Sequence, residues 1–155
     1  MTLRYVYGQD RNVARFVAQL IPHVDPRGFP VGADAIGIVD GNNEPVAGVV
    51  FFNWNPRAGT IEIAAAARSG RRWFSRETIR RALGHAFEQR GCQMVMFRVL
   101  ANNYDLLRQL AAFGCTLVTV PRLYGRADDG VICSYTAEQW AASRYRAPLQ
   151  QKEAA

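Results

Sequence analysis

The sequence predicts an α+β fold in which a mixed, mostly antiparallel sheet is flanked by helices. Short β-branched and apolar runs alternate with segments whose apolar residues recur at helical spacing. Two pairs of those runs are joined by polar turn residues, which predicts antiparallel hairpins. A chain of 155 residues, 49% of them apolar, can bury one core without disulfides, so we expect a single domain over 1–146.

The first half of the chain is predicted to hold four strands and one helix. In order, we expect a strand at 3–7, a helix from Asp10 to 21, a loop at 22–32, and strands at 33–39, 45–53 and 60–66. Asp10 can cap the helix, and the turn signal Asp40-Gly41-Asn42-Asn43 predicts a hairpin. The fourth of these strands, 60–66, ends in alanines, which leave room for a ligand to lie against the backbone.

The second half is predicted to alternate helices with strands. In order, we expect a helix from Ser75 to Gly91, a strand at 93–100, a helix from Asn102 or Asn103 to Gly114, strands at 116–123 and 131–136, and a short helix from 137. Ser75 can act as an N-cap and Gly114 as a C-cap. The polar turn 126–130 joins the last two strands, and Pro121 indicates an edge strand or a bulge.

Basic residues are concentrated in one stretch. The formal net charge is +6, and all 19 basic residues except Lys152 are arginine, a skew that biased genome composition would also produce. Six of them lie within 68–81, where the single acid is Glu77: Arg68, Arg71, Arg72, Arg76, Arg80 and Arg81. The patch predicts a polyanionic ligand, either nucleic acid or a compact molecule with several phosphate charges.

Three segments resemble the GCN5-related N-acetyltransferase (GNAT) family, and specifically its ribosomal-protein N-acetyltransferase-like branch. They are TIEIAAAARSGRRWFSRETIRRALGHAF (60–87), VLANNYDLLRQLAAFGC (99–115) and CSYTAEQW (133–140). The resemblance covers roughly 33–140 and implies a GNAT fold, acetyl-CoA as cosubstrate and an amine acceptor. No membrane span or signal peptide is readable, so we expect a cytoplasmic protein, and we expect the polar tail at 147–155 to be disordered.

In the family, the loop before the long helix binds the pyrophosphate of coenzyme A through backbone N–H groups. A helix N-terminus is an anion site on physical grounds as well. The residues that match this loop are Gly70, Arg71, Arg72, Trp73, Phe74 and Ser75. Trp73 occupies the position of the loop's first glycine and Ser75 that of its final small residue, so Gly70 is the alternative for close backbone approach.

A second family feature is an asparagine that opens the next helix, eleven residues before a glycine. Asn103 and Gly114 match it, which implies that Asn103 lies beside the pantetheine arm. The alternative is that Asn103 is only a helix cap. Leu106 stands where the family commonly has a serine.

Acetyl transfer requires a base for the amine, donors for the thioester oxygen and an acid for the leaving thiolate. Glu62 alternates with Ile61 and Ile63, so it faces the opposite side of the sheet, either as a partly desolvated base or as a solvent-facing residue. Tyr104 is the candidate acid, with simple packing as the alternative. The candidate backbone donors are Ala64, Ala65 and Ala66.

Cysteine and histidine residues do not predict a covalent or metal mechanism. Cys92, Cys115 and Cys133 lie far apart and are each flanked by apolar residues, so we expect core positions. His23 and His85 are expected at the surface, with no evident partner for nucleophilic or metal chemistry, and no metal is expected. Without a Cys–His pair, direct transfer is the expected reaction.

The leading prediction is an acetyl-CoA-dependent N-acetyltransferase whose acceptor is a protein, a small molecule or aminoacyl-tRNA. The alternative is a GNAT-fold binding module that has lost catalysis and acts on nucleic acid or a protein partner through its basic surface. Trp73 and Leu106 favour that alternative. A transferase acting on charged tRNA is the third interpretation, and a homodimer is compatible with all three.

Overall fold

The computed structural model describes residues 2–25, 27–68 and 75–146, which form seven strands and four helices. In order they are β1 (Arg4–Val6), α1 (Asp10–Leu20), β2 (Asp34–Val39), β3 (Pro45–Asn55), β4 (Thr60–Ala67), α2 (Arg76–Gly84), β5 (Met94–Leu100), α3 (Tyr104–Phe113), β6 (Thr116–Gly125), β7 (Asp128–Thr136) and α4 (Ala137–Ala141). A π-helical segment, His85–Gln89, extends α2. The predicted α+β class is confirmed, and the tail at 147–155 lies outside the described residues.

The strands form one sheet in the order β1-β2-β3-β4-β5-β7-β6. Among the described strands, neighbours are antiparallel except β4 and β5, which are parallel. Those two pair only where Thr60, Ile61 and Glu62 meet Met94, Val95 and Met96. Because both strands continue beyond this short ladder, their unpaired ends leave a gap inside the sheet.

The helix α1 packs closely on one face of the sheet. Val17 is fully buried and forms a cluster with Ala35 and Val50. Gly48 on β3 makes this approach possible, because a Cβ at that position would lie 2.6 Å from Val17 Cγ2 and 2.8 Å from Val13 Cγ1. The missing side chain therefore sets the distance between helix and sheet.

We expect Gly48→Ala to lower the free energy of unfolding by about 1–3 kcal/mol, because the added methyl group overpacks the contact between α1 and β3. Urea denaturation measures the change, provided that the slope of unfolding free energy against urea concentration is the same for the variant and the wild type. Gly41→Ala is the matched control, since a Cβ there has no atom within 4 Å. If the two variants are equally stable, α1 moves away from β3 to accommodate the methyl group without a loss of unfolding free energy.

The opposite face carries α2, α3 and α4. Its core joins Phe51 and Ile61 of the sheet to Leu83, Phe87 and Trp140 of the helices. Stacked and tilted ring contacts bind this layer together, with the Phe87 and Trp140 centroids 6.2 Å apart. The sheet is thus covered on both faces, and buried apolar positions lie on either side of the gap.

Most local signals in the sequence are confirmed. Ser75 caps α2 and accepts a hydrogen bond from Thr78 N–H at 3.1 Å. Gly114 ends α3 in the left-handed conformation, with φ of 110°. Pro121 lies on β6, an edge strand whose register with β7 shifts after Val120.

Two local predictions are wrong. Asp10 does not cap α1, because the helix begins at Asp10 itself and Gln9 occupies the cap position without a side-chain bond. The Asp10 carboxylate instead accepts a hydrogen bond from Ala35 N–H at 2.8 Å and ties α1 to the start of β2. The last hairpin turn is also shorter than expected, since Asp128 and Asp129 already belong to β7.

Candidate active site

A cleft of about 1640 Å³ runs through the gap between β4 and β5. Ala66 on its wall packs with the α1 cluster, whereas Ala65 packs with the cluster on the opposite face. The cleft therefore crosses the sheet. One mouth is lined by the end of α1 and by Tyr124, and the other by the starts of α2 and α3 and by residues that follow α4.

Backbone groups of β4 point into this cleft. Arg68 N–H donates to Val46 O at 2.9 Å on the β3 side, and hydrogen-bonding direction alternates along a strand. Ala64 and Ala66 therefore turn their N–H groups to β3, whereas Ala65 turns its N–H towards the gap. Of the three predicted backbone donors, Ala65 is therefore the one whose N–H faces the gap.

Glu62 lies at the last paired position before the gap and is buried, with 5% of its surface exposed. Its carboxylate forms an ion pair with Arg98 Nε at 3.2 Å and accepts a hydrogen bond from Asn53 Nδ2 at 3.3 Å. The solvent-facing alternative for Glu62 is therefore wrong. Arg98 lines the cleft and is half exposed, so the buried carboxylate connects to the cleft through it.

Two strands, β3 and β6, carry irregular backbone positions. Asn53 has φ of 53° at a register shift between β3 and β4, a conformation that asparagine tolerates better than most residues. On β6, Arg122 has φ of 63°, and its N–H donates to Asp129 Oδ1 at 2.9 Å. Bulges of this kind re-aim side chains and often lie beside active sites.

The β6 bulge directs Tyr124 into the cleft. Gly130 on β7 makes room for it, because a Cβ there would lie 2.9 Å from the Tyr124 ring and 2.5 Å from Leu123 Cδ2. Burial raises the pKa of Tyr124 above its usual value, and the Arg98 guanidinium offsets part of this rise. The phenol is thus protonated at neutral pH and lies within electrostatic range of the Glu62–Arg98 pair.

Tyr124 was missed by the sequence reasoning, which placed the acid at Tyr104. Tyr104 is 72% exposed at the start of α3 and does not belong to the cleft lining. Asn103 and Leu106 do line the cleft. Asn103 occupies the cap position of α3 but makes no side-chain capping bond, so a pure capping role does not account for its side chain.

The other mouth of the cleft is basic. Ser75, Arg76 and Arg144 line it, together with Tyr145. The predicted phosphate-binding residues Gly70, Arg71, Arg72, Trp73 and Phe74 lie outside the described residues, and Ser75 is the first described residue after them. The capped N-terminus of α2 consequently opens onto the cleft.

The cysteines are buried or partly buried, which confirms the expected core positions. Burial raises the pKa of Cys115 to about 12, so its thiol stays protonated and is a poor nucleophile. The expected surface position holds for His23, which is exposed, whereas His85 is partly buried. His85 lies 3.3 Å from Asp34 Oδ2, and the His23 ring packs 5.5 Å from that of Tyr124.

Within the described ranges, no three His, Cys, Asp or Glu side chains are grouped as metal ligands. In the same part of the chain, every helix is too short or too polar to cross a membrane.

Solved acetyltransferases share this architecture. The spermidine/spermine N-acetyltransferase SpeG from Vibrio cholerae superposes with a TM-score of 0.72 over 91% of this chain and 95% of its own, at 15% identity. A chimera of SpeG and hSSAT gives 0.74 over 92% and 100%, at 14% identity. A protein from T. thermophilus assigned to the acetyltransferases gives 0.64 at 22% identity, over 76% of this chain but only 64% of its own.

No protein-family model and no curated protein matches the chain. The similarity to solved structures, together with the gap between β4 and β5, establishes the fold. The chain has the GNAT acyl-CoA N-acyltransferase fold.

Proposed function

We propose that this protein is an acetyl-CoA-dependent N-acetyltransferase that transfers the acetyl group directly to an amine. The observation that carries the proposal is the cleft between β4 and β5, which joins a capped helix N-terminus at one mouth to a buried Glu62–Arg98 pair beside the other. A ligand that is anionic at one end and reactive at the other fits such a passage.

The described residues fit coenzyme A along the length of the cleft. The N-terminus of α2 favours the pyrophosphate through unpaired N–H groups and the helix dipole, and Arg71 and Arg72 add charge there in the proposal. Ala64 to Ala67 have small side chains, so an extended pantetheine arm can approach the β4 backbone. Ala65 N–H is then available to an oxygen of that arm or of the thioester.

We assign the steps of acetyl transfer to residues that line or adjoin the cleft. Glu62 accepts the proton of the acceptor amine, directly or through one water, and Arg98 stabilises the carboxylate. The amine nitrogen forms a bond to the thioester carbon, and the carbon–sulfur bond breaks. Ala65 N–H stabilises the charge on the carbonyl oxygen, and Tyr124 donates its phenolic proton to the leaving sulfur.

The charges in the cleft bear on the acceptor. The charged groups among its described lining residues, histidine aside, are Arg76, Arg98, Arg144 and Asp105, and Asp105 pairs with Arg108 at 2.5 Å. Arg76 and Arg144 lie at the mouth assigned to coenzyme A, and Arg98 pairs with Glu62, so these groups give the acceptor end no surplus of acid that would attract a polycation. We therefore propose an acceptor amine of lower positive charge than the spermidine named for SpeG.

Calorimetric titration with acetyl-CoA tests the proposal first. We expect micromolar binding by the wild type and a loss of at least about tenfold in the double variant Arg71→Ala, Arg72→Ala, since each charge-assisted phosphate contact is worth about 1.5–3 kcal/mol. The matched control is Arg11→Ala, Arg15→Ala, which removes the same charge from exposed positions on α1.

The outcomes separate the candidate functions. Binding that is lost only in the first double variant supports the transferase and justifies an acceptor screen. If the wild type does not bind acetyl-CoA, the transferase proposal fails, and the binding-module interpretation takes its place. RNA binding that weakens steeply with salt would then point to nucleic acid as the partner.

A further inference from the structure

The Glu62–Arg98 pair lies at the acceptor mouth of the cleft, which is the mouth lined by the end of α1 and by Tyr124. Phe97, the residue before Arg98, packs with the core under α2 and α3. Successive side chains of a strand point to opposite faces, so Arg98 points to the face that carries α1. Its side chain is 48% exposed, whereas that of Glu62 is buried. The cation of the pair is therefore the partner that an acceptor meets first.

The Arg98 guanidinium has hydrogen-bonding capacity left over. Its Nε lies 3.2 Å from Glu62 Oε2, and among the described residues no acceptor takes a hydrogen bond from its two Nη groups. Glu62 is fixed from the other side, because Asn53 Nδ2 donates to its Oε1 at 3.3 Å. The outer edge of the guanidinium is thus free to bind a ligand, and a planar fork of this kind binds a carboxylate through two parallel hydrogen bonds.

The two charges of the pair match those of an α-amino acid. Such a molecule carries its amine and its carboxylate on one carbon atom, so the two groups can meet two neighbouring side chains. When the carboxylate binds Arg98, the amine lies beside Glu62, which is the arrangement that general-base catalysis requires. A simple amine would leave the Nη groups without a partner, and a polyamine would bring like charge to them.

The end of α1 adds a mainly apolar surface to the acceptor mouth. The lining residues that it contributes are Leu20, Ile21, Pro22 and His23. The His23 ring packs 5.5 Å from that of Tyr124. In the loop that follows, Asp25 pairs with Arg27 at 3.1 Å, so these two charges compensate each other. The surface therefore favours an apolar side chain on the acceptor over a charged one, which would lose hydration there without gaining a partner.

We propose that the acceptor is an α-amino acid with an apolar side chain, whose carboxylate binds the Nη groups of Arg98 and whose amine lies beside Glu62. This inference rests on the proposed function, because it assigns the acceptor of that reaction. The nitrogen of the neutral α-amine forms a bond to the thioester carbon, its proton passes to Glu62, and the carbon–sulfur bond breaks. The products are the N-acetyl amino acid and coenzyme A, whose sulfur receives its proton from Tyr124.

The test compares acetylation of leucine and of leucinamide, in which a neutral amide replaces the carboxylate. Because the two amines lose their protons at different pH, kcat/KM is referred to the concentration of neutral amine. The wild type is expected to prefer leucine by at least about tenfold, as a charge-assisted bidentate contact implies. This comparison on the wild type decides the question even if a variant fails to fold.

Two variants assign the preference to Arg98. Arg98→Lys keeps a cation beside Glu62 but lacks the planar fork, so it should lose most of the preference by raising KM for leucine alone. Arg146→Lys is the matched control and should keep the preference. Arg146 is likewise about half exposed and paired with an acid, Glu88, but it lies outside the cleft lining.

Several results overturn the inference while leaving the proposed function in place. They are equal kcat/KM for leucine and leucinamide, an equal loss on both in Arg98→Lys, and no transfer to leucine by a protein that binds acetyl-CoA. Glutamate and arginine as acceptors test the side chain, and kcat/KM equal to that of leucine with either one overturns the apolar assignment. Absence of acetyl-CoA binding would overturn the proposed function together with the inference.

Discussion

Glu62→Gln is expected to lower kcat/KM for acetyl transfer by about two to four orders of magnitude, the range that general-base catalysis supplies. The substitution keeps the size of the side chain and its hydrogen-bonding oxygen, so Asn53 and Arg98 retain a partner. It removes only the ability to take up a proton at that point in the cleft. Steady-state kinetics with an amine from the acceptor screen measures the effect.

A role in proton transfer can be separated from a structural role. Acetyl-CoA affinity should change little, because Glu62 lies on the face opposite the phosphate-binding end. Loss of the buried ion pair with Arg98 should lower thermal stability, so the kinetics are compared well below the unfolding transition of the variant. Glu88→Gln is the matched control, since Glu88 is a surface acid that pairs with Arg146. If Glu62→Gln retains activity within about threefold of the wild type, a general-base role contributes too little to be the mechanism.

The order of the elements follows from local signals, and for that reason the sequence predicts it well. Ser75 and Gly114 end their helices through bonds and backbone conformations that involve only their own neighbours. The hairpin between β2 and β3 is likewise specified by its turn residues, 40–43. Such features need no knowledge of distant contacts.

The burial of Glu62 depends on contacts that the sequence does not reveal. Alternation with Ile61 and Ile63 correctly places it on the opposite face, but it does not say what covers that face. Arg98 lies on β5, and it meets Glu62 only because those strands pair in parallel over three residues. The choice between a buried base and a solvent-facing residue therefore required the structure.

The position of Tyr124 depends even more on contacts that the sequence does not reveal. Pro121 predicted an edge or a bulge, yet the direction of the following side chains depends on Asp129 and Gly130 of the partner strand. A one-residue change in that register would turn Tyr124 to the other face. Tyr104 was the natural candidate because it adjoins Asn103, but proximity in sequence places it on an exposed helix start.

Tyr124→Phe is expected to lower kcat by about a hundredfold, the lower end of what one positioned acid contributes, and to leave acetyl-CoA affinity within about twofold. The variant keeps the ring that packs against His23 and Gly130 and removes only the hydroxyl. Because burial raises the pKa of Tyr124, its phenol keeps its proton to a higher pH than a free tyrosine. The wild-type rate should therefore decline only above the usual tyrosine range, near pH 10, and the variant should lack that decline.

Two further variants, Gly130→Ala and Tyr104→Phe, test whether the β6 bulge is what places the acid in the cleft. A Cβ at Gly130 would lie 2.5 Å from Leu123 Cδ2 and 2.9 Å from the Tyr124 ring, so the alanine variant must displace Tyr124. We expect it to reproduce the loss in kcat even though the hydroxyl is present. Tyr104→Phe should change kcat by less than about twofold. The Tyr104 side chain is exposed and lies outside the cleft lining, so it is not positioned to act as the acid. A large loss of kcat in Tyr104→Phe, with no loss in Tyr124→Phe, would instead identify Tyr104 as the acid. The β6 bulge would then need another explanation.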